Sequence, residues 1–335
     1  MTLKILVTGG LGFIGSNFCR YLITKHSNYE IINIDKIGIG ANPANLKDLE
    51  KEKRYKLIKG NICNSKLINK TIKQVDAVVN IAAETHVDRS IANPSSFIQN
   101  NTIGTFTILE AIKKHNEDTR LIQVSTDEIY GETKEGSFKE NDRPKPSNPY
   151  SASKAAADMF VLAYHRTYRL DTIISRCTNN FGPYQFPEKL LPKTIIRASL
   201  NLKIPVYGSG KNVRDWIYVL DHCEALDTLL QKGEPGEIYN ISSANEYENI
   251  EVVKRILKIM NKDESLIEFI EDRPGHDIRY SLNSSKIRNE LGWKPKHNFE
   301  DALQKTVKWY LENQWWWKPI ATERVLHPAA WKLKW

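Results

Sequence analysis

Leu3-Lys4-Ile5-Leu6-Val7-Thr8-Gly9-Gly10-Leu11-Gly12-Phe13-Ile14-Gly15 is the stretch whose reading decides the fold. An apolar strand-like run passes directly into glycines and then into a helical pattern. Gly9, Gly12 and Gly15 are spaced G-x-x-G-x-x-G, which permits a tight turn and lets backbone approach a pyrophosphate at a helix N-terminus. The next strand-like run ends on an acid, Asp35. Its carboxylate can accept hydrogen bonds from a ribose diol and would repel a 2′-phosphate, so the pattern favours NAD over NADP.

Working outward, strand-like and helical runs alternate through the first half. Residues 3–8, 30–34, 55–59, 76–81, 120–125 and 171–176 read as strands, and 13–26, 64–73, 95–115 and 150–168 as helices. Such alternation predicts a parallel sheet covered on both faces. Beyond about residue 180 the pattern loosens, with a loop at 180–187 and short helices at 190–200, 221–231, 249–260 and 299–313. The expected fold is α/β: a doubly wound parallel-sheet Rossmann domain with a smaller, interleaved C-terminal α/β substrate lobe. The NAD-binding domain is expected over 1–182, with 214–243 returning to it, and the lobe over 183–213 and 244–335.

Bulk properties narrow the function classes. The 335 residues are 41% hydrophobic and 26% charged, within the globular range and long enough for a substantial core. No apolar run reaches membrane-helix length. The chain enters a strand at once, leaving no room for a signal peptide. Cys19, Cys63, Cys177 and Cys223 are scattered without a CxxC, which points to a reducing cytoplasm and away from a zinc site or any other metal. The net charge of +8 comes from dispersed Lys and Arg, with no dense basic run. That excludes nucleic acid as the expected partner and leaves a field that suits an anionic small molecule.

The chemistry-bearing residues cluster around the predicted strand ends. Asn80-Ile81-Ala82-Ala83 closes the fourth strand with small residues that let a cofactor lie close to backbone. Tyr150 and Lys154 share one helix face. A lysine cation beside the phenol, with a nicotinamide charge nearby, would lower the tyrosine pKa from its ordinary value of about 10. Thr126-Asp127-Glu128 follows the fifth strand. The strand end must turn for both carboxyls to reach one substrate, and neighbouring carboxyls in a dry cleft separate their pKa values, supplying an acid and a base together. A simple dehydrogenase needs Tyr150 and Lys154 but not two further carboxyls. Oxidation, loss of water and re-reduction of a sugar need all four groups. Thr85 could bond a sugar hydroxyl, and His86 reads as a structural, hydrogen-bonded histidine. Arg214 and Arg273 are cations suited to a diphosphate.

These motifs together resemble the extended short-chain dehydrogenase/reductase family, in its nucleotide-sugar branch. The matching stretches, 82–90, 125–131, 150–154, 179–190, 214–219 and 272–277, run nearly end to end. Epimerases and decarboxylases of that family share the glycines and the Tyr-x-x-x-Lys pair but generally lack the Asp-Glu pair. GDP-mannose dehydratases typically carry a different residue where Asp127 stands. The resemblance therefore implies 4,6-dehydration of dTDP-glucose to a 4-keto-6-deoxy sugar nucleotide, with a UDP-sugar 4,6-dehydratase or a 4-epimerase as the alternative. It implies that Tyr150, aided by Lys154 and Thr126, takes the 4-hydroxyl proton while NAD accepts the C4 hydride. Glu128 then removes the C5 proton, Asp127 protonates the departing 6-hydroxyl, and the hydride returns to C6.

By the same resemblance NAD is held by Gly9, Gly12, Phe13, Ile14, Gly15, Asp35, Lys36, Asn61, Ile62, Ile81, Ala82, Ala83, Asn100 and Asn180, with Tyr150 and Lys154. The substrate is held by Thr85, Thr126, Asn179, Lys189, Leu190, Arg214, Asn249, Asp272, Arg273, Pro274, Gly275 and His276. Pro205, Val206 and Tyr207 line the base pocket. A homodimer built on helices of the first domain is implied. Asn61, Asn100 and Thr85 stand where the family usually has Asp, Thr and Ser, and the loop at 37–42 departs from the usual pattern. The tail from Trp315-Trp316-Trp317 onward is expected to pack on the body or on a partner subunit.

Overall fold

The structure is a computed structural model that describes residues 2–334; Met1 and Trp335, the outer ends of the two expected domains, lie outside the described residues. Seven parallel strands form the central sheet: β1 (Leu3–Thr8), β2 (Tyr29–Asp35), β3 (Tyr55–Lys59), β4 (Ala77–Asn80), β5 (Arg120–Thr126), β6 (Thr172–Cys177) and, after three strands outside it, β10 (Ile238–Ile241). Their order is β10-β6-β5-β4-β1-β2-β3. The chain starts at β1 and winds first one way and then the other, so the crossover between β1 and β4 is the switch point where open α/β sheets bind ligands.

Alternation along the strands explains why both faces are covered. In β1, Ile5 and Val7 point into one apolar layer and Leu6 into the other. The first layer is filled by α1 (Phe13–Lys25) through Phe18, Cys19 and Leu22, and by α8 (Val219–Lys232) through Leu226 and Leu229. The second layer takes Ile68 and Ile72 from α2 (Ser65–Ile72), Ile108 and Ile112 from α5 (Gly104–His115), and Val161 from α6 (Pro149–Tyr168). Each fully buried aliphatic side chain contributes roughly 1.5–3 kcal/mol.

The remaining elements lie outside the main sheet. They are α3 (Val87–Ala92), α4 (Ser95–Phe97), β7 (Asn179–Phe181), α7 (Leu190–Ser199), β8 (Ile204–Tyr207), β9 (Val213–Tyr218), β11 (Glu246–Glu248), α9 (Asn249–Ile259), β12 (Ile267–Ile270), α10 (Ser285–Leu291), α11 (Phe299–Glu312) and α12 (Gln314–Trp317). Two small sheets, β11-β9-β7 and β12-β8, pack under α7, α9 and α11. α3 and α4 sit beside the first domain's helices, and α10 returns to the main sheet, where Ile287 and Trp293 join the core that holds α1 and α8.

Two local differences from the sequence reading have physical causes. The helix expected over 95–115 is interrupted by π-helical turns at Ile98–Ile103. There Asn101 turns its side chain onto the Glu84 backbone, accepting from its N–H at 2.8 Å and donating to its carbonyl at 3.0 Å. Residues 180 and 181, expected as loop, belong to β7, which pairs with β9, a partner some 40 residues away that no local pattern reveals.

Tail tryptophans pack on the body. Trp316 is buried, and its indole N–H donates to Asn45 Oδ1 at 2.6 Å. Asn45 in turn donates to the Leu11 carbonyl of the glycine loop at 2.8 Å. Trp316→Ala should cost about 3–5 kcal/mol, read as a lowered urea midpoint at unchanged m-value. A midpoint like that of the unsubstituted protein would show that the tail is not part of the cooperative core.

Candidate active site

All five strands β1, β2, β4, β5 and β6 deliver their C-terminal ends to one rim, and a cleft of about 310 Å³ opens there. Every residue expected to hold the dinucleotide lines it, from Gly9, Gly12, Phe13, Ile14 and Gly15 through Asp35, Lys36, Asn61 and Ile62 to Ile81, Ala82, Ala83, Asn100, Tyr150, Lys154 and Asn180. Gly9 adopts φ +70°, and a Cβ there would sit 2.7 Å from Ala82 Cα. A Cβ at Gly15 would meet the Gly9 carbonyl at 2.2 Å. Only glycines allow α1 to dock this closely on the loop. Gly12 caps α1 with no side-chain hydrogen bond, so first-turn N–H groups face the cleft, a donor set suited to a pyrophosphate.

Several cofactor-side residues also organise the rim itself. Asp35 accepts the backbone N–H of Leu11 at 3.0 Å and of Ile37 at 2.7 Å, while burial raises its pKa. Lys36 donates to Glu84 and to Asn100 Oδ1. Asn61 Oδ1 accepts the Cys63 N–H, so the amide that stands for the family's usual acid is engaged in a local turn. Asn180 Oδ1 pairs with His222 Nδ1 at 2.9 Å.

The groups expected to react come from the end of β5 and from α6. A 3₁₀ turn, Asp127–Tyr130, begins immediately after β5, and the Thr126 hydroxyl caps it by accepting the Glu128 N–H at 3.3 Å. This turn brings consecutive carboxyls to one cleft. Asn148 and Ser151 form a reciprocal capping box and Pro149 occupies the first turn of α6, placing Tyr150 and Lys154 one turn apart and both buried. A buried ion pair steadies this arrangement: Arg176 of β6 meets Asp158 of α6 at 3.0 Å, and Ser125 donates to the same carboxylate.

Electrostatics differentiate the carboxyls. Burial pushes Asp127 well above the usual carboxylate range, and the Glu128 charge adds to the rise. Burial also raises Glu128, but the Arg273, Lys189 and Arg214 cations oppose it. Asp127 is thus the better proton donor and Glu128 the better acceptor. Asp127 Oδ2 and Glu128 Oε2 have no hydrogen-bond partner among the described residues and are free to meet a ligand.

The expected lowering of the Tyr150 pKa by Lys154 is corrected by the geometry. Burial raises the phenol well above its ordinary value, the Glu128 charge raises it further, and a hydrogen bond with the Thr126 side chain opposes them. The Lys154 ammonium instead donates to the Val124 carbonyl at 2.6 Å, and burial lowers its own pKa.

A second cavity of about 170 Å³ adjoins the first and shares Glu128, Asn179, Lys189 and Leu190 with it. Pro205, Val206, Tyr207, Arg214, Asn249, Arg273 and His276 line it, while Thr85 and Thr126 line the first. Asp272, Pro274 and Gly275 line neither. Asp272 instead accepts from His276 Nδ1 at 2.6 Å, and Gly275 supplies a left-handed turn at φ +63°. Arg214 stacks over the Tyr280 ring and donates to the Asp277 carbonyl, and Arg273 pairs with Asp88 at 2.9 Å. Lys189 donates to the Thr85 carbonyl.

Sequence reasoning missed Glu188, Lys193, Trp216 and Tyr280 as wall residues. Glu188 and Trp216 lie inside stretches already singled out. Lys193 and Tyr280 carried no signal because their neighbours come from distant segments. His86 also differs from expectation. It lines the second cavity, its Nδ1 has no hydrogen-bond partner among the described residues, and burial with four nearby cations keeps the ring neutral.

The raised Asp127 pKa has a stability consequence. The folded state holds the proton where the unfolded chain, with a pKa of about 3.9, releases it. Asp127 therefore costs stability increasingly as pH climbs from about 4 towards its folded pKa. Asp127→Asn should gain on the unsubstituted protein over that range, measured as urea midpoints at pH 4.5 and pH 8. A difference independent of pH would show that the carboxyl is not held protonated.

Similarity to known proteins agrees with this geometry. The family model described as GDP-mannose 4,6 dehydratase matches residues 6–306. A probable dTDP-glucose 4,6-dehydratase of Sinorhizobium fredii is 45% identical over 336 residues, covering 95% of each chain. A solved structure of dTDP-glucose 4,6-dehydratase from Bacillus anthracis in complex with NAD is 47% identical, with a TM-score of 0.90 over 95% of this chain and 100% of that one. The dTDP-glucose 4,6-dehydratase DesIV from Streptomyces venezuelae, solved with NAD, is 42% identical, with a TM-score of 0.93 over 95% of this chain and 100% of that one. The chain belongs to the family that this model describes as GDP-mannose 4,6 dehydratase, and the three relatives named above are dTDP-glucose 4,6-dehydratases or a probable one.

Proposed function

We propose that the protein dehydrates dTDP-glucose to dTDP-4-keto-6-deoxyglucose, using NAD that is regenerated in each cycle. One observation carries the reading: a buried carboxyl, a half-buried one beside it and a buried tyrosine share one cleft, which opens into a cavity walled by cations. A 4-epimerase would have no work for both carboxyls. The bare α1 terminus, the glycine loop and Asp35 fit NAD, which supplies hydride acceptance at C4 and hydride return at C6.

The side chains divide the proton traffic. Tyr150 receives the 4-hydroxyl proton, with Thr126 bonded to it. A ligand cation near the ring would bring down the high phenol pKa that burial imposes. Glu128, kept nearest to ionised by Arg273, Lys189 and Arg214, takes the C5 proton. Asp127, held protonated, gives its proton to the leaving 6-hydroxyl. Arg214, Arg273 and Lys189 bind the diphosphate, and Pro205, Val206 and Tyr207 enclose the base.

The same reading divides the chain into an NAD-binding part, 1–182 with 214–243, and a nucleotide-sugar lobe, 183–213 and 244–335. Supporting it, β10 lies in the main sheet, whereas β8, β11 and β12 lie outside it. A homodimer is supported by the exposed side chains of Ile98, Ile103 and Phe106 beside Met159 and Phe160 of α6. Four free cysteines suit a reducing cytoplasm, and no helix among the described residues is long and apolar enough to cross a membrane.

Incubation with dTDP-, UDP-, CDP- and GDP-glucose, followed by product mass, tests the assignment. Loss of one water from dTDP-glucose is expected, with slower or no loss from the others. An unchanged mass with an inverted C4 would replace dehydration by epimerisation. Tyr150→Phe should lower kcat by roughly 10²–10⁴ while nucleotide affinity stays within a few-fold. Glu128→Gln should slow entry of solvent deuterium at C5 by a similar factor, roughly 10²–10⁴. Turnover at the unsubstituted rate in either variant would remove that residue from its role.

A further inference from the structure

The C-terminal segment 322–333 lies across the outer wall of the second cavity without lining it. Leu326 is buried in the lobe core, and its carbonyl accepts from Arg197 Nη1 at 2.9 Å. The next carbonyl, of His327, accepts from Lys193 Nζ at 3.2 Å. Lys193 is itself a cavity wall residue. Further on, the Trp331 ring stands edge-on to the Tyr207 ring, with centroids 4.8 Å apart. Lys332 pairs with Glu271, which follows β12.

These contacts converge on groups that face the nucleotide. The Tyr207 hydroxyl donates to Asp88 Oδ2 at 3.0 Å, and Arg273 grips the other oxygen of the same carboxylate at 2.9 Å. A chain of contacts thus runs from the tail through Tyr207 and Asp88 to Arg273. Tyr207 has no other aromatic neighbour than Trp331 and His276 among the described residues. The tail thus shares with Asp88 and His276 the contacts that orient this ring and shape that wall. Lys193 is a buried ammonium whose pKa burial depresses to about 8, and a tail carbonyl is its only hydrogen-bond partner among the described residues.

We infer that segment 322–333 is a positioning strap for the nucleotide end of the substrate: by holding Tyr207 and Lys193 from behind, it sets affinity for the nucleoside diphosphate and leaves the reacting groups alone. The ligand class rests on the nucleotide-sugar reading above. The aromatic pair is worth up to about tenfold in affinity.

The test compares the purified, NAD-loaded protein with Trp331→Ala, Trp331→Phe and a chain ending at Ala321. Calorimetry with dTDP and UDP gives Kd, turnover gives kcat and KM, and denaturation releases NAD for counting. Trp331→Ala is expected to raise Kd and KM by about tenfold, with kcat within about twofold and bound NAD unchanged. Trp331→Phe should recover most of the loss, and the shortened chain should lose at least as much as Trp331→Ala. If the shortened chain does not fold, the two Trp331 variants decide. An unchanged Kd in Trp331→Ala overturns the strap, as does a parallel fall in kcat and bound NAD, which would mean general structural damage. A protein that binds neither dTDP nor UDP also overturns it. The dehydratase reading fails separately, when dTDP binds but no dehydrated product forms.

Discussion

Two carboxyl groups on consecutive residues, Asp127 buried and Glu128 half-buried, share the cleft at the end of β5, and the rest of the site is arranged around that cost. Burying an ionisable group without compensation costs several kcal/mol. Here the two are treated differently. Asp127, whose pKa burial raises well above the carboxylate range, accepts from the neutral Thr126 hydroxyl at 3.1 Å. Glu128 faces the three cations of the adjoining cavity. Those cations arrive from α7's threshold, from β9 and from the loop after β12, three segments far apart in sequence. Segments beyond β6 therefore complete the electrostatics around two carboxyls carried by the turn after β5.

Rigidity behind the carboxyls comes from buried polar networks. Asp158 and Arg176 join α6 to β6, and Arg176 reaches on to the Tyr130 hydroxyl at 2.7 Å. Tyr130 in turn bonds Asn240 of β10. The turn that carries Asp127 and Glu128 is thereby tied to three neighbouring elements. Asn101, in the π-helical turns, holds the Glu84 backbone and donates to Ser153 of α6 at 2.9 Å. Removing one partner from such a network leaves a charge or amide buried alone, which is why these residues position the site although none of them reacts.

Legibility in the sequence followed the range of the interactions. The glycine loop, Asp35, the Tyr150–Lys154 spacing and the Thr126 triplet are local patterns, and each lies on the rim where a parallel sheet must deliver it. Helices with strong periodicity, such as α9 and α11, begin and end within a residue of expectation. What could not be read depends on long-range contact. β7 exists only through β9, and Trp316 reaches the glycine loop through Asn45. Spacing shows that Lys154 shares a helix face with Tyr150 but not that its ammonium is committed to the Val124 carbonyl, which is why burial wins and the phenol pKa rises rather than falls. Asp272, Pro274 and Gly275 were grouped with the binding residues by their place in a motif. The loop turns them away and leaves Arg273 and His276 in the cavity.

The account's central claim is that one hydride leaves C4 and returns to C6 of the same sugar while Glu128 and Asp127 move protons. The most direct measurement is the fate of isotope in dTDP-glucose carrying deuterium at C4, with the product read by mass and by NMR. The account predicts deuterium at C6 of a 4-keto-6-deoxy product and, in heavy water, solvent deuterium at C5. Deuterium returned to C4, or a C6 that carries none, would contradict it.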